Sequence, residues 1–244
     1  FYKCINLKIN SIPSNISIIE KFTFYQCQNI ESISIPNNIT SIGAYAFGNC
    51  INLQTVFIGE SVKDLDSNGF YGCKKLITFE VSRNNSYFSS YSGIIYDKNF
   101  TELKFIPSKI GDIKLHDNIQ CIQSKAFEDQ FSIKSINLSL NLESISDYAF
   151  KNCINLESII IHDNVTSIGD SAFEGCSNLK SIILPNNLTS IRYSAFKGCS
   201  SLSSIILPNN LTSIGMETFE GCSSLSSIIL PNNLTSIEDS VFKG

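Results

Sequence analysis

The sequence predicts a β-rich α/β solenoid. It would be a stack of short coils that share one parallel sheet, with a short turn of α- or 3-10 helix on the other side of each coil. Three observations predict it. The stretch 178–200, NLKSIILPNNLTSIRYSAFKGCS, recurs as SLSSIILPNNLTSIGMETFEGCS at 201–223, a step of 23 residues; a fixed period in this range marks a stacked repeat array. Phenylalanines stand 23 apart at Phe1, Phe24, Phe47 and Phe70, and again at Phe127, Phe150, Phe173, Phe196, Phe219 and Phe242. A cysteine follows three residues later at Cys4, Cys27, Cys50, Cys73, Cys153, Cys176, Cys199 and Cys222, with Gln130 in that place after Phe127.

Six residues after each phenylalanine a strand-like unit begins, as in Leu179, Ile182 and Leu184, which is L-x-x-I-x-L, the leucine-rich-repeat pattern. Counted from these strands, the repeats begin at Leu7, Ile30, Leu53, Leu76, Ile110, Ile133, Leu156, Leu179, Leu202 and Leu225. All run 23 residues except the fourth, which runs 34, from Leu76 to Lys109, and the truncated last. The expected organisation is therefore one solenoid over 1–244 with an irregular repeat at 76–109. The chain begins and ends within repeats, so it reads as a piece of a longer protein whose signal, anchor or caps would lie outside it.

In the repeat that opens at Leu179, Leu179–Leu184 reads as a strand with Leu179, Ile182 and Leu184 inward. Pro185-Asn186-Asn187 turns the chain. Leu188–Ile191 is a second extended piece with Leu188 and Ile191 inward. Tyr193–Cys199 is too short for an independent helix and is expected to make one helical turn, with Ala195, Phe196 and Cys199 inward and Gly198 helping to end it. In the first repeat Asn10 stands where Ile33 and Ile182 point inward, which suggests a frayed coil. In the fourth, Leu76–Val81 is a normal strand. Then 93–96 and 102–106 flank Asp97-Lys98-Asn99-Phe100 as a hairpin with a polar loop. That hairpin is either a lateral binding knob or a cover for the missing Phe and Cys, with Ile94, Tyr96, Leu103 and Phe105 packed onto the coil.

Composition narrows the function. The formal charge is −4 and there is no basic run, which argues against nucleic acid. No apolar run reaches about 18 residues, the length needed to span a membrane. The eight ladder cysteines read as buried, reduced, structural thiols; Cys121 lies off the ladder. A row of thiols does not supply four converging zinc ligands, so no metal is expected. His116 and His162 each open an HDN triplet at the turn, with no nucleophile beside them. No phosphate-binding or dinucleotide motif occurs, so neither enzyme chemistry nor a cofactor is expected. Nine N-x-S/T sequons are present. Six, Asn15, Asn38, Asn164, Asn187, Asn210 and Asn233, share one turn position of the regular coils, where asparagine also has a structural reason as a turn cap. Neighbouring glycans there would stand about 5 Å apart, which leaves Asn99 at the hairpin tip the most accessible, with Asn84 and Asn187 as further candidates.

The consensus L-x-S-I-x-L-P-x-N-L-T-S-I-x-x-x-A-F-x-x-C closely resembles the BspA-type leucine-rich repeat over nearly the whole chain. The Ser-x-x-Gly-Ile-Ile-Tyr-Asp-Lys stretch of the fourth repeat resembles that family's interruption. The resemblance implies a right-handed, curved solenoid with a concave sheet. It implies a cell-surface or secreted, non-enzymatic adhesin ectodomain that binds host, extracellular-matrix or microbial proteins, and it carries no catalytic residues over. An intracellular protein-interaction scaffold uses the same sheet and remains the alternative.

Strand alternation points to the binding face. With the inward set assigned, Ser158, Ile160, Ser181, Ile183, Ser204, Ile206, Ser227 and Ile229 face outward. They form a row of four isoleucines beside a row of serines. A contiguous exposed apolar stripe often marks an interaction site. The isoleucines either stack on one another and stiffen the sheet or dock a protein partner, a second copy in a homodimer included.

Overall fold

The computed structural model describes residues 1–110 and 113–244. The fifth repeat opens at Ile110, and its Gly111 and Asp112 lie outside the described residues. The chain divides into two compact units, Phe1–Gly111 and Asp112–Gly244, built from the same coil.

Unit 2 holds the regular version. In the coil that opens at Leu179, Ser181–Ile183 is a strand, and Leu179, Ile182 and Leu184 are buried beneath it. The Leu188 amide closes the Pro185 turn on the Pro185 carbonyl at 3.2 Å. Ser190–Ile191 is a second, two-residue strand over the buried Leu188 and Ile191. Pairing is parallel with a shift of one repeat, so Ile183 lies opposite Ile206 and Ser190 opposite Ser213. Every side chain therefore meets its own equivalent one coil away, and the period in the sequence becomes rows in space.

The expected helical turn is absent. Among the described residues there is no α- or 3-10 helix, and 193–199 is a run of tight turns. The backbone supplies the reason. The amides of Lys197 and Cys199 donate three residues back, to Ser194 and Phe196, both at 3.1 Å. The amides between them do not. Ser194, Phe196 and Gly198 donate to the carbonyls of Met216, Thr218 and Glu220 in the next coil, at 2.9, 3.0 and 2.7 Å. Ser194 and Gly198 hold φ of +50° and +72°. A helix needs successive right-handed residues bonded along the chain. Here left-handed residues recur and every second amide joins the neighbouring coil, so the turns form a ladder of their own.

Behind this column the phenylalanines make a stacked spine. Ring centroids are 4.6 Å apart for Phe127–Phe150, 5.2 Å for Phe150–Phe173, 5.5 Å for Phe173–Phe196 and 5.7 Å for Phe196–Phe219. Beside the spine, the thiols of Cys153, Cys176, Cys199 and Cys222 donate to the carbonyl of the phenylalanine one coil earlier, at 3.1–3.2 Å. In unit 1 Cys50 and Cys73 do the same at 3.1 Å. Burial pushes the thiols of Cys73, Cys153, Cys176 and Cys199 well above the usual thiol value and those of Cys27 and Cys222 to about 11, and all nine cysteines are free. Cys4, in the first turn, corrects the expectation of eight buried thiols: it is exposed. Cys121 is half-buried.

Unit 1 starts regularly. Ser32–Ile35, Thr55–Ile58 and Thr78–Val81 form one parallel sheet, and Ile18–Ile19, Ser41–Ile42 and Asp64–Leu65 a second. The first coil is thin. Asn10 is exposed, and its strand is reduced to a single bridge between Ser11 and Ser34. The spine runs from Phe1 to Phe70, and then Phe79 meets Phe70 edge-on at 5.2 Å and 71°.

The fourth repeat holds three antiparallel strands rather than two: Phe88–Tyr91, Ile94–Asp97 and Glu102–Phe105. The additional strand is joined by Ser92-Gly93, whose φ values of +51° and +79° fit the tight hairpin turn that a Ser-Gly pair signals. Asp97 belongs to its strand, so the tip is 98–101. Ile94, Ile95, Tyr96 and Leu103 are fully buried and Phe105 is half-buried, so the hairpin's apolar face covers the coil. Asn85 stands where the regular coil has Leu188 and is also fully buried. Its amide donates to Gly59 and Val62 carbonyls at 2.8 and 2.9 Å, and its oxygen accepts from the Tyr87 and Phe88 amides, both at 2.8 Å. All of its polar capacity is used to fix the path into the hairpin.

Candidate functional site

The strand face of unit 2 gathers the eight outward residues into two rows. Ser158 pairs with Ser181 and Ser204 with Ser227, while Ile160, Ile183, Ile206 and Ile229 follow one another through the sheet. The serines are exposed. The isoleucines are 51%, 60%, 85% and 86% exposed in that order. Burying an isoleucine is worth about 1.5–3 kcal/mol, so the row holds a large unused apolar surface. It ends at Asn137, the partner of Ile160 on the neighbouring strand. Parallel sheets are usually covered on both faces, and this one is covered on one.

Beside the row lies a shallow depression of about 240 Å³ between two coils, lined by Ile183, Ile206, Leu184, Leu207 and the turn asparagines Asn186 and Asn209. Sequence reasoning did not anticipate it, because it forms where the strand end of one coil meets the turn of the next. On the other side of the serines, Lys180 bonds Glu157 at 2.7 Å. That contact holds the Glu157 carboxyl below the usual carboxylate range. At the turn, the Asn186 amide and side chain do the same for Asp163. The site thus offers apolar methyls flanked by hydroxyls, amides and one paired charge. That chemistry suits binding, and no side chain in it is poised as an acid, base or nucleophile.

The turn asparagines are structural in a way the sequence did not disclose. The side-chain amide of Asn187 donates to the Asp163 carbonyl of the previous coil at 2.9 Å. Asn164, Asn210 and Asn233 repeat the bond to Leu140, Asn186 and Asn209 at 2.7–3.0 Å, and Asn38 bonds Ile16. They donate between coils rather than accept from turn amides, so a glycan on Asn187 would occupy the nitrogen that makes the ladder bond and leave it one N–H. Asn99 and Asn84 are exposed; Asn99 lies on the hairpin tip, and Asn84 holds the place of Asn187 in the irregular fourth repeat, where its backbone amide donates to the Ser82 hydroxyl at 3.3 Å. His116 accepts the Asn118 amide at 3.2 Å within its turn. Among the described residues no group of three His, Cys, Asp or Glu side chains could hold a metal, and no helix is long and apolar enough to cross a membrane.

Stacked 23-residue coils, parallel sheets and a Phe-Cys spine define a solenoid of leucine-rich repeats. The family model of the BspA type leucine rich repeat region matches six copies across residues 1–109, 94–200 and 143–244, and the chain belongs to that family. No curated protein matches it. Among solved structures it is similar to a leucine rich cell surface protein from Faecalibacterium prausnitzii, with 27% identity, a TM-score of 0.76, and 98% of this chain and 62% of that one covered. A leucine-rich repeat protein from Eubacterium ventriosum aligns at 24% identity and a TM-score of 0.66, over 96% of this chain and 82% of that one. The pneumococcal vaccine antigen PcpA aligns at 23% and 0.62, over 96% and 64%. The latter two are likenesses of fold. This chain spans 62% of the length of the Faecalibacterium protein.

Proposed function

We propose that this chain is a non-enzymatic protein-binding module, displayed at a cell surface or secreted, that takes a segment of a protein partner across Ile160, Ile183, Ile206 and Ile229. The observation that carries the reading is the row of four isoleucines, each more than half exposed on the open face of a parallel sheet. Ser158, Ser181, Ser204 and Ser227 supply hydrogen bonds along its edge, and the depression by Asn186 and Asn209 receives a side chain. Area argues for a segment as the occupant. Four strands at about 4.8 Å spacing span roughly 14 Å, and a patch that wide in both directions covers only about 200 Å², short of the about 800 Å² that each partner of a standard interface buries. Family membership and the likeness to a cell surface protein support the location. The partner fits the class of host, matrix or microbial surface proteins.

The test is the double variant Ile183→Asp, Ile206→Asp, assayed against immobilised matrix and bacterial surface proteins, with a thermal melt and sedimentation alongside. Loss of binding with an unchanged melt is the expected result. Binding that survives the double variant overturns the site. A wild-type dimer that dissociates in the variant would make the stripe a homodimer face instead.

A further inference from the structure

Unit 1 carries a second exposed apolar surface, on its turn column rather than its strand face. Tyr2 and Tyr25 lie parallel at 5.3 Å, and Phe22 and Tyr45 parallel at 5.4 Å. The two pairs meet edge to face, with Phe22 and Tyr25 at 5.5 Å and 79°. Tyr71 continues the array edge-on to Tyr45 at 5.7 Å. Phe22 is 40% and Tyr71 53% exposed. Stacking alone does not explain so much aromatic surface left in water, since the buried phenylalanine spine already joins these coils.

The array is held rigid. Gly48 stands in the column position of Tyr25 and Tyr71, and a Cβ there would lie 2.8 Å from the Tyr25 ring. The ring therefore lies over the glycine, and Asn49 donates to its hydroxyl at 3.0 Å. Rigid tyrosines are efficient anchors at protein interfaces, because they bury much area with little ordering cost.

Charge narrows the occupant. Lys3, Lys21 and Lys74, which follow Tyr2, precede Phe22 and follow Tyr71 within the same turns, are exposed. Lys3 Nζ lies 5.2 Å from the Tyr2 ring centre, and among the described residues none of the three is ion-paired. Glu20 is the exposed carboxylate next to them, and Asp66 accepts the Asn68 amide. In the same column of unit 2 the lysines are paired instead: Lys151 with Glu174 at 2.9 Å and Lys197 with Glu217 at 2.7 Å. Unit 1 holds ten basic against eight acidic residues and unit 2 eight against fourteen. Unpaired lysines around rigid aromatics complement carboxylates set among apolar groups.

We infer that the aromatic column of unit 1 is a second binding surface, which takes an acidic protein segment bearing aromatic or apolar side chains. The probe is a fluorescent random copolymer of glutamate and tyrosine, titrated into the 244-residue chain at low and high salt, with all-glutamate polymer and heparin as comparisons. The copolymer is expected to bind saturably and more weakly as salt rises. Phe22→Ser with Tyr71→Ser should weaken it at least tenfold, and Lys21→Glu with Lys74→Glu by a comparable factor. Ile183→Asp with Ile206→Asp should leave it unchanged, which separates this surface from the isoleucine row. Thermal melts verify that the variants fold, and the lysine pair decides the matter if the aromatic pair does not fold. Absence of saturable copolymer binding overturns the inference. So does equal binding of all-glutamate polymer that ignores the ring substitutions, and so does binding of heparin in place of the polypeptide.

Discussion

The two units use one coil and dress it in opposite ways. Unit 2 exposes isoleucines on the strand face and sets Glu128, Lys151, Glu174, Lys197, Glu220 and Lys243 in alternation along the turn column. Unit 1 sets Tyr2, Tyr25, Gly48 and Tyr71 in that column, and its strand face is mostly polar, with Glu31, Ser32, Ser34, Gln54, Thr55 and Glu80. Their interiors hardly differ: both bury the same Leu-Ile pattern, the same stacked phenylalanines and the same hydrogen-bonded thiols. The difference teaches that the buried set defines the coil, while each outward row is free to take any chemistry, repeated at the strand spacing. A solenoid thus converts one outward substitution per repeat into a continuous surface of one kind.

The shared core is the claim that the largest effects can break. Phe173→Ala in unit 2 and Phe47→Ala in unit 1 should each cost about 3–5 kcal/mol in a denaturant melt, the usual range for a buried phenylalanine. A loss below about 1 kcal/mol in either unit would mean that its spine is not the core. The next test addresses the single buried position where the units part. Asn85→Ala removes all four bonds of a fully buried amide and should cost about 2–4 kcal/mol, since each stranded partner costs about 1–3 kcal/mol. The reciprocal Leu188→Asn should destabilise unit 2, because nothing there satisfies the amide. If Leu188→Asn is neutral, the two positions are not equivalent.

Alkali should affect both units through their thiols. Burial raises Cys27 and Cys222 to about 11 and Cys73, Cys153, Cys176 and Cys199 in the same direction. In the unfolded chain thiols ionise near 9, while in the folded chain they stay neutral. The folded state then binds more protons, so stability is full below about pH 8 and falls as pH rises from about 9 towards 11. Melts from pH 7 to 10.5 test this; a flat profile would place the thiols in water. Thiol counting sharpens the same point: Cys4 and Cys121 should react in the native protein and the remaining seven only after denaturation.

Smaller effects separate the outer rows. Asn187→Ala removes one exposed bond between coils and should cost about 1 kcal/mol, readable in a urea melt. A larger cost would mean the asparagine row carries more of the stacking than one bond per coil. The charged column of unit 2 should matter least. Lys197 holds the Glu217 carboxyl below the usual carboxylate range. That contribution is therefore present above the ordinary carboxylate pKa and fades as pH falls through it. Lys197→Met should remove a small, salt-screened part of the acid sensitivity. The aromatic column of unit 1 should show no such dependence, and a pH response there would blur the contrast between the units.

Much of this protein is legible one residue at a time. The inward set of the Leu179 coil, the phenylalanine spine and the row Ile160, Ile183, Ile206 and Ile229 follow from period and alternation, because stacking carries equal positions onto equal positions. The cover formed by Ile94, Tyr96 and Leu103 follows from their apolar pattern. The candidate depression at Asn186 and Asn209 does not, because its walls come from two coils. Nor does the array of Phe22, Tyr25, Tyr45 and Tyr71, which looks like scattered aromatics until the coils are stacked.

The sequence by itself determined the coil: its length, which side chains point inward, and which repeat breaks the pattern. Those are local consequences of apolar spacing, and a strict repeat makes them legible again in each copy. The tertiary structure decided where the polar groups go. It turned the expected helix into a ladder of turns by sending every second amide to the next coil. It used the sequon asparagines as donors between coils and placed Asn85 in a leucine's position. These bonds join residues about one repeat apart in the chain, and a backbone amide is chemically the same whichever carbonyl it finds. Only the stacking of the coils selects its partner.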